Sequence, residues 1–75
     1  MYTPNPKQIK QVENNFTYHP SKDGQQKRYQ RIREYAQTMG SILITNCPES
    51  RELSLALTHV EDAVMWANAA IARNE

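Results

Sequence analysis

The C-terminal third of the chain, residues 49–73, constrains the fold more than any other stretch because its composition suits only a helix. It contains no Gly or Pro and is rich in Ala, Leu, Glu and Met, which are good helix formers. At about 100° per residue, such a helix carries apolar side chains on two opposite faces. One face is an ordinary core stripe, made of Leu53, Leu57, Val60, Val64, Ala67 and Ile71. The opposite face mixes polar residues with a second apolar set: Leu55, Met65, Trp66 and Ala69.

The second apolar set predicts a partner, because one neighbouring helix can cover only one face. The partner is either another protein chain or a ligand. A chain of 75 residues, 39% of them hydrophobic, has too high a ratio of surface to volume to be more than marginally stable alone, and oligomerisation is the usual remedy. We therefore predict a homo-oligomer whose interface contains the second set.

Another long helix is predicted from Ser21–Gly24 to about Ile44, because apolar residues recur there at helical spacing. Its predicted buried face consists of Tyr29, Ile32, Ala36, Met39, Gly40 and Leu43. Gly40 costs up to about 1 kcal/mol against Ala in a helix interior, so its place on this face suggests close approach of another helix. Pro48 suits the first turn of the following helix. The short connection makes the two helices antiparallel neighbours, and the predicted fold is an all-α two-helix hairpin.

The N-terminal residues 1–15 are predicted to form an extended arm, in which residues 7–15 could form one or two helical turns. Residues 16–75 then make up the hairpin domain. Residues 16–20, FTYHP, are predicted to be extended and could form the lip of a ligand site. Alternatively, Phe16 and Tyr18 simply cover the end of the hairpin. The basic residues that follow, among them Lys27 and Arg31, are either part of a site or a solvated face paired with acidic side chains.

Composition excludes several classes of function. A formal net charge of +1 argues against a partner that is a DNA or RNA polymer, which would need a basic surplus. No apolar run approaches the roughly 20 residues of a membrane span, and no signal peptide opens the chain, so a soluble, intracellular protein is expected. One cysteine, Cys47, and two histidines are too few for a convincing zinc site. There is no phosphate-binding glycine loop, and we predict no metal, no cofactor and no catalysis. A binding or interaction module remains.

Three stretches give the chain its resemblance to a known family: FTYHP at residues 16–20, RYQRIRE at 28–34, and CPESRELSLALTHVEDAVMWANAAIAR at 47–73. They resemble the helical-hairpin family of phage anti-defence sponges, which sequester cyclic oligonucleotide signals of the bacterial CBASS immune system and include relatives acting against Thoeris signalling. The likeness covers roughly residues 16–73.

The resemblance implies a compact homohexamer in the cytoplasm of the infected host. Family members bind cyclic dinucleotides between paired protomers, some also hold cyclic trinucleotides at a three-fold site, and nothing is hydrolysed. Carried over from the family by spacing, Tyr18 stacks on a base and Arg33 pairs with a phosphate. His19 and Arg28 are further candidate ligand-binding residues. The alternative is a structural or adaptor oligomerisation module that has the same second apolar set but no nucleotide ligand.

Overall fold

A computed structural model describes all residues 1–75 and contains three helices and no strands. Helix α1 spans Pro6–Asn15, α2 spans Gln25–Asn46 and α3 spans Arg51–Asn74. The prediction of an all-α chain is confirmed, and the hairpin domain fits the long pair α2 and α3. No helix is both long and apolar enough to span a membrane.

The residues before each long helix explain where it begins. Gly24 precedes α2 with a φ of 82°, a left-handed conformation that glycine adopts without strain. Ser50 precedes α3 and its Oγ accepts a hydrogen bond from the Leu53 N–H at 3.1 Å. Because serine at this position satisfies a free backbone N–H, α3 begins after Ser50. The prediction that Pro48 lies in its first turn was therefore wrong, and Pro48 belongs to the connection.

Helix α1 lies within the predicted N-terminal arm and is longer than the one or two helical turns that the sequence allowed for residues 7–15. The Asn5 side chain accepts from the Gln8 N–H at 2.8 Å, and the Gln8 side chain accepts from the Asn5 N–H at 3.0 Å. This reciprocal pair is a capping box, and Pro6 occupies the first helical position, where its fixed φ favours a helix. These local signals make ten residues helical although no apolar core supports them.

The long helices pack on each other through the predicted core stripe of α3, whose members are all half-buried. The first turn of α2 lies near the end of α3, since Arg28 contacts Glu75, and Gly40 lies near Leu57. Met39 departs from the predicted buried face of α2 and is 49% exposed. A Cβ on Gly40 would meet only the Leu57 Cδ2, at 3.9 Å, so α3 itself does not require a glycine there.

The chain forms a single layer of helices without an interior. Only Gln25 is buried, and no hydrophobic side chain is. The chain measures 49 × 39 × 13 Å, and its shortest dimension is close to the width of one helix, about 10–12 Å. Its radius of gyration is 16.8 Å, against about 11 Å for a compact chain of this length. Stable domains bury their apolar faces between at least two layers, and one copy supplies only one.

Candidate ligand-binding groove

An open groove of about 640 Å³ lies where the lip (residues 16–20) meets the start of α2 and the end of α3. A volume of this size is within the range of about 300–1,000 Å³ typical of small-molecule sites. Three segments line it. The chain ahead of α2 contributes Asn15, Thr17, Tyr18 and His19. Helix α2 contributes Gln26, Lys27, Tyr29, Gln30 and Arg33. Helix α3 contributes Asn68, Ala69, Ala72 and Arg73.

The charged side chains that line this groove are all basic. Lys27, Arg33 and Arg73 line it, and no Asp or Glu does. This arrangement favours an anion, and the two arginines present planar forks of N–H donors that match phosphate oxygens. The basic residues at the start of α2 are therefore not all paired with acidic neighbours on a solvated face.

Hydrogen bonds to the ends of α1 and α3 hold the lip in place. The His19 Nε2 lies 2.8 Å from the Asn14 carbonyl oxygen, and since a carbonyl can only accept, Nε2 must carry the proton. The Asn14 side chain in turn donates to the Arg73 carbonyl at 3.0 Å. His19 is half-buried by this arrangement, and the lip is fixed beside the groove.

The aromatic rings of the lip remain free. Phe16 is 86% and Tyr18 85% exposed, so neither covers the end of the hairpin, which was the alternative that the sequence left open. Tyr18 lines the groove from the lip, and Tyr29 lines it from α2. An aromatic face beside basic side chains is what a ligand with bases and phosphates requires.

Arg28 does not line the groove with the other three predicted ligand residues. Its Nη1 donates to the Glu75 Oε2 at 2.7 Å, and its Nη2 contacts Oε1 of the same carboxyl. Hydrogen bonds from Arg28, and after it from Gln25, lower the pKa of the Glu75 carboxyl to about 2. Arg28 thus links the start of α2 to the end of α3.

Replacing Arg28 by alanine should lower the thermal midpoint of unfolding slightly at pH 7, and by progressively less as the pH falls from 4.5 towards 2. The Glu75 pKa falls from 4.5 to about 2 on folding, so the pair stabilises the fold above pH 4.5 and loses its effect as the pH falls through about 2. Thermal unfolding followed by circular dichroism at several pH values measures this difference. An equal difference at every pH would contradict this role of the carboxylate.

Several lining residues were not predicted as part of a site. The spacing predicts Tyr29 on the buried face of α2, leaves Lys27 either in a site or on a solvated face, and marks Arg73 only as part of the C-terminal helix. Gln26, Gln30 and Arg33 recur at helical spacing, which could have revealed the α2 wall. Asn68 carries an Oδ1 that is buried without any hydrogen-bond partner, and no sequence pattern marks it.

The residues predicted for the oligomer interface lie on the outer side of α3. Leu55, Met65 and Trp66 are 44%, 54% and 62% exposed. Ala69 is half-buried and lines the ligand groove. The residues of the predicted interface therefore lie next to the ligand groove on the surface of α3.

The chain matches one family model, described as the hairpin domain of Acb2/Tad1, over residues 8–72. The match covers most of α1 and nearly all of α2 and α3. It confirms the resemblance inferred from the three sequence stretches. No curated protein and no solved structure shows a significant match to the chain.

Proposed function

Because the chain belongs to the Acb2/Tad1 hairpin family, the phage anti-CBASS and anti-Thoeris cyclic nucleotide sponges, we propose that it sequesters cyclic oligonucleotide immune signals without cleaving them. Family members are binding sponges rather than enzymes. The proposed ligands are cyclic dinucleotides in the groove. Cyclic trinucleotides, at a separate three-fold site, are a second ligand class suggested by the resemblance.

The observation that carries this proposal is the groove that brings Tyr18, His19 and Arg33 together. A cyclic dinucleotide has two bases with aromatic faces and two phosphodiesters with one negative charge each. Tyr18 offers a ring for stacking, and Arg33 offers a bidentate donor for a phosphate. Lys27 adds positive charge on the same α2 wall, and Arg73 adds it on the α3 wall.

The proposed active form is a homohexamer of antiparallel hairpins. The contact between the start of α2 and the end of α3 supports the antiparallel arrangement. A two-fold axis beside the groove would duplicate Tyr18 and Arg33, and so match two bases and two phosphates. The exposed apolar side chains Leu55, Met65 and Trp66 supply the surface for the contacts between copies.

Calorimetric titration with a panel of cyclic di- and trinucleotides tests the proposal. We expect saturable binding of at least one cyclic dinucleotide, with a stoichiometry of one ligand per two chains. The linear dinucleotide with the same bases serves as the matched control, because it has the same rings but lacks the closed shape. An absence of binding across the panel would refute the sponge function.

Binding without turnover is a separate prediction. A cyclic dinucleotide incubated with the protein and then released by heat should be recovered intact, as measured by ion-exchange chromatography. The groove holds aromatic rings, hydrogen-bond donors and cations, and its lining includes no carboxylate to activate a water molecule. Linear product formed at substoichiometric protein would contradict this prediction, provided that an Arg33→Ala variant forms less of it.

Only the exposed apolar residues of α3 support the alternative function, a structural or adaptor module. It gives no role to a groove with three basic side chains and no acidic one. It predicts an assembly of normal size that binds no cyclic nucleotide. The titration described above therefore distinguishes the two functions.

A further inference from the structure

Helix α1 turns its polar side toward its own chain and its apolar side away. Gln11 and Asn14 share a shallow cleft with Trp66 of α3, and Asn14 donates to the Arg73 carbonyl at 3.0 Å. Ile9 and Val12, at 48% and 57% exposure, instead line an apolar hollow of about 550 Å³ on the far side of the helix. A helix with this pattern normally packs by its apolar stripe. Tyr2 and Pro4 of the same chain also line this hollow, but neither long helix does, so the apolar stripe formed by Ile9 and Val12 remains largely exposed.

The apolar stripe belongs to α1, which is already helical in the single chain. The capping box between Asn5 and Gln8 and the proline at position 6 fix the start of α1. Little ordering entropy therefore remains to oppose docking of the stripe. Such preformed amphipathic helices bind by laying the apolar side into a groove.

The hairpin has an apolar groove suitable for a helix. The groove between α2 and α3 has a volume of about 510 Å³, and its lining includes Ala36, Gly40, Ile44, Leu57, Val60 and Val64. The floor at Gly40 is open, because the only atom within 4 Å of the place a Cβ would occupy is the Leu57 Cδ2, at 3.9 Å. Glu61 is the one charged residue of the lining.

The α1 of the same chain cannot reach the middle of this groove. The Asn14 bond ties it to Arg73, and Leu57 lies 16 residues back along α3, about 24 Å at 1.5 Å per residue. From Asn14 to Ile9 the axis of α1 covers only about 7.5 Å. While this bond holds, the groove must be covered by something else.

We propose that the α1 of a second copy of this chain fills the groove between α2 and α3. The chain exposes 6712 Å², about 2,000 Å² more than a compact protein of its mass. A standard interface buries about 800 Å² per partner, so a helix contact of this kind fits within the excess and leaves area for the face around Trp66. The proposal rests on the oligomer proposed above, and adds the segment that joins its copies.

Site-specific cross-linking tests the contact. Two chains are co-expressed in a Cys47→Ser background, one with Val12→Cys and the other with Ser41→Cys and a longer tag. Ser41 lines the groove and is exposed. Under mild oxidation we expect a disulfide between the two chains, seen as a mixed dimer on a non-reducing gel. The matched control replaces Val12→Cys by Lys7→Cys, on the opposite side of α1, and should give at least tenfold less mixed dimer.

A second variant measures the effect on assembly. Ile9→Ser with Val12→Ser should keep the helix content of the chain, since both side chains face outward, and should weaken association roughly tenfold or more. Light scattering over a range of concentrations reports the change. If the double variant associates as strongly as the unchanged chain, or if the cross-linking gives no mixed dimer, the α1 contact is wrong. Either result would leave the sponge proposal standing. A chain that is monomeric before any substitution would overturn both the contact and the proposed hexamer.

Discussion

Replacing Arg33 by alanine should weaken binding of a cyclic dinucleotide by about 1.5–3 kcal/mol for each charge-assisted hydrogen bond that is lost, or roughly 10- to 150-fold per bond. Arg33 lines the groove from α2 among other cations, so its loss leaves a phosphate without a bidentate partner. Arg33→Lys should restore only part of the affinity, because an ammonium lacks the planar fork. Calorimetric titration of the three proteins gives the comparison.

The Tyr18 ring is expected to contribute a comparable amount through stacking. Tyr18→Ala should cost about 1–3 kcal/mol for each stacked base, and Tyr18→Phe should cost much less because the aromatic face remains. Tyr18 is 85% exposed, so its removal should not affect the thermal midpoint of unfolding. A purely structural role for Tyr18 would instead predict that Tyr18→Ala lowers the thermal midpoint of unfolding.

Arg28→Ala provides the matched control for Arg33→Ala, since it removes the same charge from the same helix. Arg28 is engaged by Glu75 outside the groove, so its substitution should reduce affinity far less than that of Arg33. If both variants lose affinity equally, the loss results from the change in overall charge and not from a contact in the groove. If Tyr18→Ala and Arg33→Ala lower stability while affinity stays constant, the proposed site is wrong.

The long helices could be predicted from the sequence because their signals are local and periodic. The core stripe of α3 and the second apolar set follow from spacing alone, and the structure leaves Leu55, Met65 and Trp66 exposed as the second set requires. Helix α1 was harder to predict, because a helix of ten residues without an apolar core is not normally stable. Its capping box, Asn5 with Gln8, was nevertheless present in the sequence.

The groove could be predicted only in part, because its walls come from segments distant in sequence. Tyr18 and Arg33 were carried over from the family by spacing, and the structure places them in one groove. Arg73 and Asn68 lie more than 30 residues further along the chain, and only the packing of α3 against α2 brings them there. The contact of Arg28 with Glu75 depends on the same packing.

The Trp66→Glu substitution should dissociate the proposed hexamer. Trp66 is 62% exposed in one copy and lies on the outer side of α3 with Leu55 and Met65. If that surface is buried between copies, a carboxylate in it would be desolvated without a partner, which costs several kcal/mol per ion. The effect recurs at every equivalent contact of a symmetric assembly. Light scattering should therefore show a fall from the assembled mass toward that of a single chain.

The charge itself must be separated from its position, and Thr38→Glu does this. Thr38 is exposed on α2, so this variant has the same net charge and leaves every side chain of α3 unchanged. We expect it to assemble normally, and Trp66→Phe to assemble nearly as well. Dissociation should also weaken ligand binding, because a two-fold site needs both copies of Tyr18 and Arg33. A Trp66→Glu protein that remains fully assembled would place the interface elsewhere on the chain, and one that is monomeric yet binds ligand normally would show that the groove of one copy is sufficient.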